Sequence, residues 1–349
     1  MRLAARSPRV VTMIKRGSRD AFRWLFRRMV ATQHGLALVN RMHGWLSPAL
    51  RRRFFFLTFG EDWRVEGRWW VDFAGRKILL PLSPRFPYAW LAATGFHGYD
   101  PELHEVYTTL VQSALPPRMF FDVGAHYGLH SLRLLVHGVT VVSFEPNGHC
   151  HPFFVECCAA NGVTPIIEPV AVGETPGMLT LSVPDDRSWL GTTMARVQNA
   201  WSTQTVSTSM VASVSLDAYA SAHGCVPDII KIDVEGAELD VLRGARELLA
   251  TARPILIFES WPALEERIAL YELLAGLHYV VTPATAAFQR PVLSRTGFVE
   301  CPGMNFVAWN ESTAIGAAAV QVRSGATPQP SRSHRVQPRE AVKSGRVSV

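Results

Sequence analysis

The chain has 349 residues, 48% of them hydrophobic, enough for one large α/β domain with appendages or for two domains. No window offers 18 uncharged apolar residues, so no transmembrane helix is expected. "MRLAARSPRVVTMIKRG" lacks the apolar stretch of a secretory signal, although its arginines leave a transit peptide open. The net charge of +6 divides into +12 over residues 1–53, +5 over 312–349 and −11 between them; such an acidic body is not expected to bind nucleic acid, while the basic ends leave open a weak contact with an anionic membrane or polymer.

Residues 1–53 read as a basic, partly helical arm. Phe22, Leu25, Phe26 and Met29 fall on one helical face, which either packs on the core or lies on a membrane surface. Residues 54–118 read as a β-hairpin and helix subdomain. In "WRVEGRWWVDFAGRKILLPL" two β-rich runs flank "AGRK", and a helix near 101–114 is stopped by Pro116 and Pro117. From 119 to 311 strands and helices alternate: "MFFDV" (119–123), "LHSLRLLVHG" (129–138), "VTVVSFE" (139–145), "GHCHPFFVECCAANG" (148–162), "IIEPVAVG" (166–173), "DIIKIDV" (228–234), "AELDVLRGARELLA" (237–250), "PILIFE" (254–259), "LEERIALYELLAGL" (264–277), "YVVT" (279–282) and "MNFVAW" (304–309). That alternation predicts an α/β fold, a mostly parallel sheet with helices on both faces. The polar excursion 174–215 is too long for a connector and is a candidate substrate loop, with Trp189, Thr192 and Thr193 shaping the pocket. Residues 312–349 are poor in aromatics and rich in Ser, Pro, Gln and Arg, so a disordered basic tail is expected.

Five cysteines, an odd number with no CxxC pair, fit reduced thiols in a cytoplasmic protein. Cys150 lies between His149 and His151, but adjacent helical residues point in different directions, so no metal site is expected there.

The stretch "FFDVGAHYG" (120–128) ends an apolar strand in Asp122 and places Gly124 and Gly128 in the first strand-to-helix turn, where doubly wound sheets bind ligands. Glycine there lets backbone approach a ligand without a Cβ in the way. Glu145 closes the next strand, 23 residues after Asp122, where a carboxylate can accept both hydroxyls of a ribose. Two cofactors suit that pair. A dinucleotide enzyme would use GxGxxG, and "GAHYG" has no GxG. S-adenosylmethionine (SAM) carries a sulfonium, an ammonium and a ribose without a phosphate, which suits an acid placed just before the loop. Further on, "IIKIDVEGAELDVLRGA" (229–245) delivers Asp233 and Glu235 to the same crevice, with Gly236 permitting a sharp turn. Two neighbouring acids are costly without a partner, and Lys231 lies on the same side of the strand as Asp233. Glu238 reads as a first-turn acid favoured by the helix dipole.

With "FFDVGAHYGLHSL", "VVSFEPN", "EPVAVG", "VSLDAYA", "DIIKIDVEGAELDVLRGARELL", "RPILIFE" and "NFVAW" in that order over about 119–309, the chain resembles the FkbM family of SAM-dependent methyltransferases. The resemblance implies a seven-stranded, Rossmann-like class I methyltransferase sheet with an antiparallel last strand. It implies that Asp122, Gly124, Ala125, His126 and Gly128 wrap the methionine end of SAM, that Glu145 holds the ribose, and that Ala171 and Val172 lie by the adenine. Family members usually carry Asn where this chain has His126; both residues tolerate left-handed backbone. The implied reaction is O-methylation of a small molecule or saccharide, with Asp233 and Glu235 the first candidates for the proton acceptor and Glu259 and His126 in reserve. The alternatives are a nicotinamide-dependent oxidoreductase and a non-catalytic SAM-binding scaffold held at a membrane by its basic arm.

Overall fold

The computed structural model of the chain describes residues 23–58, 65–86, 88–184, 191–193 and 205–324. Helices α1 (23–30), α2 (Gln33–Trp45) and α3 (Pro48–Thr58) come first. The hairpin β1 (Gly67–Phe73) and β2 (Arg76–Leu82) follows, its turn made by Ala74 and Gly75, both at positive φ as a two-residue hairpin turn requires. Then come α4 (Ala89–Gly98) and α5 (Pro101–Val111).

The α/β body begins with β3 (Met119–Val123), α6 (Leu129–Leu135), β4 (Thr140–Phe144), α7 (His151–Ala160) and β5 (Ile166–Glu168). An excursion follows: β6 (Ala171–Val172), β7 (Gly177–Pro184) and β8 (Val206–Val214). The second half runs α8 (Leu216–His223), β9 (Ile229–Ile232), α9 (Glu238–Arg243), α10 (Arg246–Thr251), β10 (Ile255–Glu259), α11 (Leu264–Gly276), β11 (Tyr279–Pro283), α12 (Arg295–Val299), β12 (Asn305–Asn310) and α13 (Ala314–Ser324).

Seven strands form one sheet in the order β11-β12-β10-β9-β3-β4-β5, and only β12 runs antiparallel to its neighbours. This is the arrangement that the resemblance implies. Successive strand residues alternate between two cores. Phe120, Val141, Ile229 and Ile257 face the core shared with α1, α2, α4–α7 and the hairpin, whereas Phe121, Val142, Ile230 and Leu256 face the one shared with α8–α11. Burial on both faces explains why the strands read as unbroken apolar runs. The winding reverses between β3 and β9, so a ligand crevice is expected at their carboxyl ends.

Four expectations need correction. Leu25 is exposed; the inward face of α1 is Phe26 and Val30, with Met29 packed beside them, and Phe22 lies outside the described residues. Residues 237–250 are two helices, broken at Gly244, where a Cβ would stand 2.2 Å from the Gly173 carbonyl oxygen. The excursion 174–215, read as a substrate loop, carries regular structure among its described residues: β8 pairs antiparallel with β7 and in parallel with β6. The tail does not lose order at 312: α13 packs Ala319 into the core, because its alanine run favours helix whatever the composition around it.

Candidate functional site

Register places three polar side chains in a row across adjacent strands: Lys231 of β9 opposite Asp122 of β3, and Asp122 opposite Ser143 of β4. Asp122 is wholly buried. One of its oxygens, Oδ1, stands 3.4 Å from Lys231 Nζ, and Oδ2 accepts from the Ser131 amide at 3.0 Å and hydroxyl at 2.7 Å. The Ser131 and Ser143 hydroxyls are 2.7 Å apart. Asp122 therefore caps the start of α6 from inside the sheet. Lys231 also approaches Asp233 Oδ2 at 3.3 Å and donates to the Gly124 carbonyl at 2.9 Å. Burial alone would lower its pKa, but Asp233 and Asp122 more than offset that and hold the ammonium charged.

The loop after β3 is closed on itself. The amides of Gly124 and Ala125 both donate to the Phe144 carbonyl, and that of Gly128 donates to Ala125. The His126 amide donates to Glu145 Oε2 at 2.7 Å, and Asn147 donates to Glu145 Oε1 at 2.8 Å. Gly124, His126 and Gly128 all have positive φ. A Cβ on Gly124 would lie 1.9 Å from the Asp233 carbonyl oxygen, so glycine is what lets the β3 and β9 ends meet. A Cβ on Gly128 would lie 2.1 Å from the Phe154 ring; this glycine serves packing. Burial raises the Glu145 carboxyl to about 7, against the pull of its two amide donors.

Beyond β9, Asp233 is 38% exposed. Glu235 is held in left-handed backbone at φ 56, its carbonyl accepting from the Thr192 hydroxyl at 3.1 Å. Glu238 is buried and accepts from the Val234 and Gly236 amides, both at 3.1 Å, so it braces the turn by hydrogen bonds rather than by the helix dipole alone. Burial and then Asp233 raise Glu235 to about 7 and Glu259 to about 9, the Trp261 indole N–H opposing the shift at Glu259. Burial and Glu102 raise Asp100 to about 7.

These groups surround one cavity of about 340 Å³. Gly124, Ala125, His126, Glu145, Ala171, Val172, Asp233 and Glu235 line it. Asp122 and Gly128 do not; they lie behind the loop and shape it. The carboxyls of Asp100 and Glu259 reach the same space, as does His130, which burial keeps neutral. Leu181, Gly191, Thr192 and Thr193 bring the excursion over it; Trp189 lies outside the described residues. Sequence reasoning missed the wall supplied by α3, α4 and the turn before α5, Phe55, Tyr99 and Asp100 among it. The local signal was "YDP", an Asp in left-handed backbone directly before the proline that starts α5. A more open groove of about 1060 Å³ runs along α2 and the hairpin, away from the strand ends and without this set of carboxyls. Among the described residues, no three His, Cys, Asp or Glu side chains are placed to hold a metal ion.

Five carboxyls line this cavity against the two cations Lys231 and Arg133, so it favours a ligand with positive charge. Residues 122–278 match the protein-family model described as the methyltransferase FkbM domain. Residues 122–278 are an FkbM methyltransferase domain. Such domains use SAM. The FkbM crevice of this chain fits it: the amides of Gly124, Ala125, His126 and Gly128 are already bonded within the protein, which leaves fewer loop donors for a phosphate, while a sulfonium and an ammonium find carboxyls. Among solved structures, the chain is similar to the methyltransferase FkbM from Methylobacillus flagellatus KT, at 17% identity over 64% of this chain and 54% of that one, with a TM-score of 0.37. It is also similar to a SAM-dependent methyltransferase from Agrobacterium tumefaciens, at 15% over 70% of each chain and 0.37, and to the O-methyltransferase from Bacillus cereus in complex with SAH, at 12% over 55% and 72% and 0.30. The match thus spans about half the length of the first of these. No curated protein matches the chain.

Proposed function

We propose that the chain transfers a methyl group from SAM to a hydroxyl of a small molecule or saccharide, in the cytoplasm. The observation that carries this reading is the closed loop 124–128 facing Asp233 and Glu235 across one cavity, with Glu145 at its side. Bound there, SAM supplies an electrophilic methyl group on a sulfonium. The Gly124–His126 backbone accommodates the methionine end, and Glu145, oriented by two amides, accepts from the ribose hydroxyls. Ala171 and Val172 offer an apolar surface to the adenine. Asp122 and Lys231 position this machinery from behind: Lys231 ties the Gly124 carbonyl to Asp233 and so sets the spacing of the two strand ends.

A hydroxyl is a weak nucleophile, so a base should take its proton as the carbon–oxygen bond forms and the carbon–sulfur bond breaks. Glu235, held near 7, is matched to that task at neutral pH, and its strained backbone is the kind of feature that clusters at reacting centres. Asp233, paired with Lys231 at 3.3 Å, faces the same space as the cationic ligand. The carboxyls of Asp100, Asp233, Glu235 and Glu259 disfavour a phosphate-rich acceptor, which argues against nucleic acid.

A nicotinamide dinucleotide would need loop amides that are already engaged. Calorimetry with SAM, its demethylated product and NAD, followed by transfer of a labelled methyl group into a cell extract, tests the reading. Heat with the first two and label in a hydroxyl-bearing product are expected. Heat with NAD alone would overturn the reading, and binding without transfer would favour a scaffold.

A further inference from the structure

The first three helices meet the body through aromatic side chains. Phe26, Phe54 and His43 pack edge-on or tilted against Trp69 and Trp90, with ring centroids 5.2–6.3 Å apart. Arg23 and Arg51 donate to the carbonyls of Leu57 and Gly44, fastening the helices to one another. This inward packing accounts for one face of each helix. A surface helix ordinarily turns a polar face to water. Here the other face is apolar too.

On α2 the buried stripe is Leu36, Val39, Asn40 and His43, and the outward stripe is Leu38, Arg41, Met42 and Trp45. On α3 the outward side carries Leu50, Arg52, Arg53, Phe56 and Leu57, and on α1 it carries Trp24, Leu25, Arg27 and Arg28. Trp45 is 74% exposed and Trp24 59%. Among the described residues, eight of the 18 exposed large hydrophobic side chains fall between residues 24 and 57, far more than single scattered positions would give. Residues 23–58 contain seven arginines and no Asp or Glu. Three of those arginines lie over outward aromatic rings: Arg28 over Trp24, Arg41 over Trp45 and Arg52 over Phe56.

We propose that the outward face of α1–α3 docks on an anionic lipid surface. Trp, Leu, Met and Phe supply the part that enters the boundary between headgroups and acyl chains, and arginines beside them meet lipid phosphates. A nucleic acid would engage the arginines but gain little from Leu38, Met42 and Leu50. The same α3 forms a wall of the cavity: Phe55 lines it while Phe56 faces outward, so a docked chain holds the cavity beside the lipid. The inference does not depend on which cofactor the cavity takes.

The test is flotation of the full chain with vesicles of phosphatidylcholine alone or mixed with phosphatidylglycerol, at low and high salt. Expected are binding to the mixed vesicles only, weakening with salt, and a loss of roughly tenfold or more in partitioning for Trp24→Ser/Trp45→Ser and for Arg52→Glu/Arg53→Glu. These positions are exposed, so a thermal melt unchanged from the parent should accompany the loss. Four results would overturn the inference: no vesicle binding at low salt; equal binding by both variants and the parent, which would assign attachment to the basic ends; binding to single-stranded RNA without binding to vesicles; or a stable dimer, dissociated by the tryptophan variant, that ignores vesicles.

Discussion

Lys231 stands 3.3 Å from the Asp233 carboxylate, at the point where β9 meets the loop that follows β3. Its other partners are the buried Asp122 carboxylate and the Gly124 carbonyl, so one ammonium joins an internal acid, a cavity acid and the loop backbone. Lys231→Met should therefore cost about 3–5 kcal/mol of stability at pH 8, the range for stranding one partner of a buried pair. Asp122, left without its cation, would hold a proton more firmly folded than unfolded, so the deficit should shrink as pH falls. Denaturant unfolding of the variant at pH 8 and pH 5 measures both effects. Parent-like stability at pH 8 would show that the ammonium does not clamp the strand ends.

Glu145 accepts from two backbone amides and keeps lone pairs for a ligand. Glu145→Gln removes the charge and half of the acceptor capacity. SAM binding should weaken by about 1–3 kcal/mol, as for a charged hydrogen bond left unmade. In the parent, affinity should rise as the carboxyl ionises through about 7, and part of that rise should be absent in the variant. Calorimetric titrations at pH 6 and pH 8 would show it, and an unchanged affinity would remove Glu145 from the ribose site.

Much of this site was legible because strand tips carry local signals. "MFFDV" and "IIKIDVEG" announce apolar strands that end in acids before a glycine; Asp233 and Glu235 do reach one crevice, while Asp122 is buried behind it. What those acids touch was not legible. Asp122 faces Lys231 because of a register across two strands 109 positions apart, and it faces Ser131 because α6 folds back over β3. Helix 237–250 looked continuous because propensity cannot report that Gly244 must admit the backbone of Gly173. Arg267 is fully buried in a helix whose sequence reads as a surface, donating to the carbonyls of Ser260, Phe298, Cys301 and Gly303. The loop that needs those donors lies about 30 residues away in the chain.

The raised carboxyls give the ligand-free protein a defined pH response. Glu259 is held up to about 9, and Asp100, Glu145, Glu235 and Glu238 to about 7. A carboxyl raised in the folded chain contributes stability that is complete below its unfolded value and is lost as pH rises through the folded one. The buried His43, His97 and His104, lowered to about 4, 2 and 4, act in the opposite sense but only below their ordinary 6.5. Between pH 6.5 and 8 the carboxyls dominate, so the melting temperature should fall. Glu259→Gln should make the fall shallower, and saturating SAM should do the same by supplying positive charge. Calorimetric scans at fixed ionic strength would measure it; a flat or rising melting temperature would contradict the raised carboxyls.

The last prediction separates the two acids beyond β9. If Glu235 takes the acceptor's proton, Glu235→Gln should lower kcat by about 10²–10⁴-fold, the usual reach of a positioned base. Its rate should lose the limb that rises through about pH 7 in the parent. SAM affinity should change little, since nothing in that role involves holding the nucleoside. Asp233→Asn should differ: it weakens the hold on Lys231 and removes an anion facing the cationic ligand, so both SAM affinity and turnover should drop while the pH limb persists. Asp233 is partly exposed and its Asn replacement can still accept from the ammonium, so folding should suffer less than turnover. Single-turnover rates between pH 5.5 and 9, with a binding isotherm for each variant, distinguish the roles. A limb lost in Asp233→Asn and kept in Glu235→Gln would exchange the assignments, and wild-type turnover in either variant would remove that residue from the reaction.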